Sequence, residues 1–434
     1  MDVSTSPMIP LLLVAAALIA QLLLARKLVP ALGLLIGTQA IFWTLAFVLR
    51  PMYLMTFKPV LIPELADRRL MWTHYDSALG QVLWLCFVGQ IAYLAVLVFF
   101  HWGTRNRQRP ATPAITDIGR SHEVVLVALI LWAAGWIGRI GAALHLQSMD
   151  SAFRIFGTVG GALLIATVRT KRPVSAMWVV GSLVVIEESW AFYYGSKAAM
   201  VIPLLALCLR WLLADKPGAF GRRAVALGLL AIVGFLVIQP MRGISTAERV
   251  ASASDGEHPE IKGAAVSVLE RFDGLSAVTD AAFLGPAIWM SGGEFVTRII
   301  LNMTPTGPIA AKSLSIGQQW TQEVRAESNA NQVMDVPLAA GPTAEGFALA
   351  GLPGIILENC ALALATIAVG CALQSRKTIP TIFAATFAFS TVLFEQGILG
   401  LAATTNKALQ IAVCGFIILM FIRSADSKNG KVAA

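Results

Sequence analysis

The sequence predicts an all-α, polytopic integral membrane helix bundle of about eleven transmembrane helices, with one long extramembrane loop that carries short amphipathic helices of its own. Three observations predict it. Of the 434 residues, 57% are hydrophobic and 13% charged, whereas soluble domains average about 45–50% and about 25%. The mean hydropathy is +0.72. Runs of about 20 apolar residues, the length that carries an α-helix across a bilayer, recur along the chain. A large soluble enzyme and a disordered chain are excluded. Each span must be helical, because lipid offers no partner to backbone N–H and C=O groups.

The spans fall near 8–25, 29–48, 77–100, 122–146, 152–168, 174–193, 198–213, 224–240, 346–373, 381–400 and 407–422. The N-terminus lacks the basic start and small-residue cleavage site of a signal peptide, so the first run reads as a retained helix. The chain then divides into residues 1–240 with eight helices, a loop at 241–345, and residues 346–434 with three helices and a tail. Loop charge sets the orientation. Arg26 and Lys27, Arg105 to Arg120, Arg169 to Arg172, Lys216 to Arg223, Arg376 and Lys377, and the tail alternate correctly with eleven spans as cytoplasmic segments. The N-terminus is then outside, the C-terminus inside and the long loop outside. Within that loop, "AAVSVLERFDGLSAVTDAAFLG" places Val266, Leu269, Leu275 and Val278 at helical spacing, and "GEFVTRIILNM" reads as a second amphipathic helix. Such helices lie either along the membrane surface or against the bundle. No internal repeat is visible, nor the paired Gly/Pro-broken helices that point to a transporter.

The motifs of soluble enzymes are absent, among them GxxxxGK[ST], GxSxG, HExxH and DxD. Five cysteines lie in apolar runs without metal-ligand spacing, and the five histidines are scattered. No metal or cofactor is expected. Arg242 stands where the eighth span meets the outer surface, either as an arginine that snorkels to headgroups or as a bidentate anion clamp. Arg271 and Asp273 follow in "LERFDGL", with Arg271 either a loop-solubilising charge or a second clamp. Arg298, Lys312 and Arg325 are weaker candidates of the same kind, as is Arg50 in the outer loop 49–76. Glu345 lies at the outer mouth of the ninth span. It reads either as a general base or as an acid that complements a helix N-terminus. Lys197 begins the seventh span beside two tyrosines, as an interface anchor or a phosphate contact. Arg139, Glu187, Glu188 and Glu395 fall inside spans, where ionisable groups are functional candidates or pair with one another to hold the bundle.

In order along the chain, "YYGSKAAMVIPLLALCL", "MRGIS", "RFDGL", "NMTPTGPIAAKSLSIGQQW" and "PTAEGFALAGLPGIILEN" resemble segments of the bacterial O-antigen or oligosaccharide repeat-unit polymerases (Wzy-type). Lys197 stands where that family has Arg. Lys312 and a Pro are kept in a stretch whose Arg is missing. Glu345, Gly351 and Gly354 match the family's acidic helix entry. The resemblance runs over about 190–375. It implies a metal-independent glycosyltransferase of the bacterial inner membrane, acting on its periplasmic side. A growing chain would pass from undecaprenyl diphosphate to the incoming lipid-linked unit. Arg242, Arg271 and Glu345 would be catalytic. Lys197, Asp273, Arg298, Lys312, Arg325 and Arg50 would bind substrate, and a chain-length regulator and a flippase would be partners.

Three alternatives stand beside this reading. An O-antigen ligase would need a loop histidine, and only His258 is available. A transporter or flippase of lipid-linked sugars would use the intramembrane charges as its path. A polyprenyl-phosphate sugar transferase would carry a close acidic pair in its first outer loop, which Glu64, Asp67 and Asp76 do not form. The net charge of +8 does not signal nucleic acid. The 241–345 loop holds seven Lys and Arg against twelve Asp and Glu, a net of −5, which leaves +13 for the rest of the chain. A net-acidic loop cannot attract an anion as a field, so its arginines would have to converge locally.

Overall fold

The computed structural model describes residues 6–57, 75–105, 122–143, 147–169, 173–193, 197–212, 274–304, 316–320, 323–324, 340–375, 377–390 and 392–432. All regular structure among them is helical. Among the described residues seven helices are long and apolar enough to cross a membrane: Met8–Ala25, Pro30–Thr56, Tyr75–Arg105, His122–Gly141, Ser175–Tyr193, Gly341–Leu373 and Ile398–Ser424. The protein is a multi-span helical membrane protein. The eighth expected span, 224–240, lies outside the described residues, and the fifth and seventh are the shorter apolar helices Phe153–Thr167 and Ala199–Leu212.

The chain forms two compact units. The first comprises Met1–Gln108, Leu269–Ala368 and Thr391–Asn406, and the second Arg109–Val268, Val369–Ser390 and Lys407–Ala434. In the first, α1 (Met8–Ala25) packs on α2 (Pro30–Thr44) and on α4 (Tyr75–Arg105). Pro30 opens α2 at a position where its missing N–H costs nothing. The second span does not end near 48 as expected. It runs through a π-helical turn at Leu45–Leu49 into α3 (Arg50–Phe57). A wide turn of this kind relieves the clash of the Pro51 ring with the preceding carbonyls. Arg50 is therefore a buried helical residue and not part of an outer loop.

Polar groups tie this unit together at depth. Gln39 donates to the Leu393 carbonyl at 2.6 Å and to Thr366 Oγ1 at 3.1 Å, and Tyr93 donates its hydroxyl to Gln39. Trp43 stands edge-on to Tyr93, 5.1 Å between ring centres. Where no water competes, each satisfied bond fixes one helix register. Helix α9 (Gly274–Leu284) is buried along Leu275–Ala281 and packs on α4, so this amphipathic segment lies against the bundle. Helix α10 (Gly292–Met303) differs. Ser291 caps it by accepting the Glu294 N–H at 3.2 Å. None of its residues is buried, and Val296, Ile300 and Leu301 are exposed. A short α11 (Ile316–Trp320) follows.

In the second unit α5 (His122–Ala143) and α6 (Gln147–Thr167) pack most closely, with α7 (Pro173–Tyr193) and α8 (Lys197–Leu212) beside α6. The contact is made by glycines. A Cβ on Gly135 would collide with the Gly157 backbone, and one on Gly160 would stand 2.8 Å from the Ala128 carbonyl. Such small-residue faces let helix backbones touch where hydrophobic driving force is lacking. Arg210 donates to the Ile165 carbonyl at 3.1 Å and to that of Val168, satisfying the end of α6.

The last two expected spans, 381–400 and 407–422, are partitioned differently. The chain forms α12 (Gly341–Leu373), α13 (Thr378–Ala388), a turn of helix α14 (Val392–Glu395) and a long α15 (Ile398–Val432). The interruption falls at 389–397 and not at the polar "TTNK" run. There Thr405 bonds back to the Leu401 carbonyl, and Asn406 reaches the Thr304 carbonyl at 2.9 Å. Polar side chains that find partners of this kind need no loop.

Candidate functional site

The ninth span begins at Gly341 rather than at 346, and it is broken. Gly341 has φ +74 and Gly351 φ +66, both in the left-handed region that glycine tolerates. Ala350 also leaves helical geometry (φ −150, ψ 18). Pro353 then stands early in the second half, where a proline is accommodated. The break is sharp. In a straight helix Gly346 and Gly354 would lie about 12 Å apart, yet a Cβ on either would collide with the other's carbonyl group. The segment 352–373 still supplies the roughly 20 residues needed to span.

This fold brings Glu345, from the first half, against Glu358, from the second. Both are buried, at 2% and 1% exposure. Glu345 Oε1 accepts the Leu399 N–H at 3.1 Å, and Glu358 Oε2 accepts the Ile398 N–H at 2.6 Å. The pair therefore caps the N-terminus of α15, whose first amides have no partner within the helix. The two carboxyl groups face the same enclosed space. Gly397 closes the site: a Cβ there would stand 2.7 Å from Oε2 of both glutamates. Asn359 donates to the Ile355 carbonyl at 2.9 Å and to Thr343 Oγ1 at 3.3 Å, beside Gly89 of α4.

The segment that follows α9 covers the break. Ala287 and Trp289 donate their N–H groups to the Phe347 and Ala348 carbonyls at 3.3 and 3.1 Å, and Pro286 approaches Gly351. Trp289 and Trp320 meet edge-to-face, 5.0 Å between centres. Both indole N–H groups are buried without an acceptor among the described residues. A buried, unmet donor costs about 1–3 kcal/mol, so each offers a hydrogen bond to an oxygen that enters here. The site thus combines a buried carboxyl pair with aromatic N–H donors at a helix break.

Of the expected site residues, Glu345 lies at this centre. It is enclosed and not at a wet helix mouth, and the helix whose N-terminus it complements is α15, not its own. Arg298 is on α10, where its carboxylate partner is Glu294 at 3.8 Å. Arg50 is buried in α3. Lys197 is the first residue of α8, in the second unit, with its side chain outside the described set. Arg242, Arg271, Asp273, Lys312 and Arg325 lie outside the described residues. Sequence reasoning missed Glu358, Asn359, Gly397 and the Trp289–Trp320 pair. The signal for Glu358 was present in "AGLPG": a left-handed glycine two residues before a proline marks a break that turns distant helix positions onto one site.

Among the described residues no three His, Cys, Asp or Glu side chains gather as metal ligands would. Comparison with protein-family models gives no match, and searches of curated proteins and of solved structures give none either.

Proposed function

We propose that the protein is a membrane glycosyltransferase that polymerises undecaprenyl-diphosphate-linked oligosaccharide units on the outer side of a bacterial inner membrane, in the manner of the Wzy-type polymerases its sequence resembles. The observation that carries the reading is Glu345. The acidic residue of the last resembling segment is the one that sits buried beside a second carboxyl group at the break in a spanning helix. In this scheme the acceptor sugar hydroxyl loses its proton to Glu345 as its oxygen attacks the anomeric carbon of the donor chain. The carbon–oxygen bond to the diphosphate breaks, and the lipid diphosphate leaves with the electron pair. Arg242 and Arg271 would neutralise the charge that develops there. Glu358, beside Glu345, would take up or return a proton. Helix α10, amphipathic and unburied, would lie in the outer interface as such helices do, with Arg298 at headgroup level.

The test is elongation of lipid-linked oligosaccharide by purified protein. Glu345→Gln should abolish chain growth, and an unchanged rate would remove Glu345 as the base.

A second reading is a transporter or flippase of lipid-linked sugars, favoured by one specific observation. A discontinuous spanning helix is also where transporters build substrate and ion sites. Flux of a lipid-linked sugar across protein-containing liposomes, without elongation, would establish it over the first.

A further inference from the structure

We infer that residues 286–290, between α9 and α10, are a releasable latch on the short helix that carries Glu345, and that its release opens the carboxyl pair. What the latch admits rests on the glycosyltransferase reading; that it opens does not.

Glu345 sits on a segment with a pivot at each end. Residues 342–350 are bounded by Gly341 and Gly351, with φ +74 and +66. Glycine in such positions absorbs backbone rotation that other residues resist. Glu345 is 2% exposed. A general base must come within hydrogen-bond reach of the proton it takes, so one wall of the site has to give way when a sugar hydroxyl enters.

The latch is the wall that moves at least cost. The break leaves the Phe347 and Ala348 carbonyls without partners in their own helix, and the N–H groups of Ala287 and Trp289 meet them at 3.3 and 3.1 Å. Ala287 is held there at φ +59, the one non-glycine residue with positive φ among the described residues, where its Cβ crowds the backbone. Trp289 is held against Trp320 with both indole N–H groups buried and unmet. Two backbone bonds thus stand against one strained residue and two unmet donors. Release relieves the strain and frees the indoles to meet water or a ligand oxygen. Helix α10 gives the latch no anchor. None of its residues is buried, and the Thr304 carbonyl that accepts from Asn406 is at its far end. The wall at 397–399 is firmer, because both glutamates cap it and Gly397 packs against both carboxyl groups.

Ala287 tunes the balance in both directions. Ala287→Val adds a β-branched side chain, the kind that tolerates positive φ least, and Ala287→Gly removes the strain. Full-length protein in nanodiscs is treated with dicyclohexylcarbodiimide, an apolar reagent for carboxyl groups, and modification of Glu345 and Glu358 is followed by peptide mass spectrometry. We expect labelling about tenfold faster in Ala287→Val and about threefold slower in Ala287→Gly than in wild type. Glu187, buried and paired with Arg139 in the other unit, reports unfolding. If its labelling accelerates in Ala287→Val, the glycine variant alone decides. Wild-type rates at Glu345 in Ala287→Gly, or in a folded Ala287→Val, overturn the latch. Elongation in the same preparations separates the two ideas. Rates that shift as expected in a protein that does not elongate leave the latch and remove the glycosyltransferase reading. Elongation by the wild type with equal labelling in all three does the reverse.

Discussion

Glu345 and Glu358 are thirteen positions apart in one helical segment, yet both reach the space that a side chain on Gly397 would fill, 2.7 Å from either Oε2. That convergence exists because the helix breaks at Ala350–Gly351. It makes one small region answer for both architecture and chemistry.

Gly397→Ala is the sharpest test of that packing. The new methyl would meet Glu345 Cδ at 2.6 Å, and overpacking of this kind costs about 1–3 kcal/mol. Thermal unfolding in detergent should show a lowered midpoint, and elongation should fall further than stability does, because the carboxyl pair is displaced. A wild-type midpoint and rate would mean that the two glutamates are not held there.

Replacing Glu358 separates capping from proton handling. Glu358→Gln keeps a carbonyl oxygen for the Ile398 N–H, so it should unfold near the wild-type temperature while elongating slowly. Glu358→Leu removes the acceptor and should lose about 1–3 kcal/mol by leaving a buried N–H unmet. Equal stability of the two variants would show that the Ile398 bond contributes nothing.

The helix content was legible in hydropathy because lipid imposes length and apolarity on every span. The positions of breaks were not. On a continuous helix, thirteen residues put Glu358 about 20 Å from Glu345 and turned by roughly 220°, so nothing in a regular reading joins them. Only the glycine–proline spacing at 351 and 353 hints at the fold-back. The "TTNK" run misled in the other direction, since polarity there is met inside the helix by Thr405 and Asn406. The glycines of α5 and α6 were also invisible as a pattern, because a close backbone approach is a property of two helices and not of one.

Those glycines yield a prediction of their own. Gly135 faces Gly157 so closely that a Cβ on it would stand 2.1 Å from the Gly157 Cα and must separate α5 from α6. Gly135→Leu should lower the unfolding midpoint, with a loss of about 1–3 kcal/mol, the cost of strained overpacking. Gly181, whose Cβ would meet nothing within 4 Å, serves as the control, and Gly181→Ala should be neutral. Similar losses in both would show that the effect is not one of helix approach.

The Arg139–Glu187 pair should be non-additive. Arg139→Met leaves a buried carboxylate uncompensated, at about 3–5 kcal/mol, whereas Arg139→Met combined with Glu187→Leu restores an apolar interior at much smaller cost. A double-mutant cycle by thermal unfolding measures the difference. Simple addition of the two single effects would mean that the pair does not act as one.

The central claim, that Glu345 is the proton acceptor of a sugar-transfer reaction, is tested most directly by polymer length on gels from source cells carrying Glu345→Gln at wild-type protein levels. Loss of long polymer is expected, with single lipid-linked units accumulating. A ladder of wild-type length would contradict it.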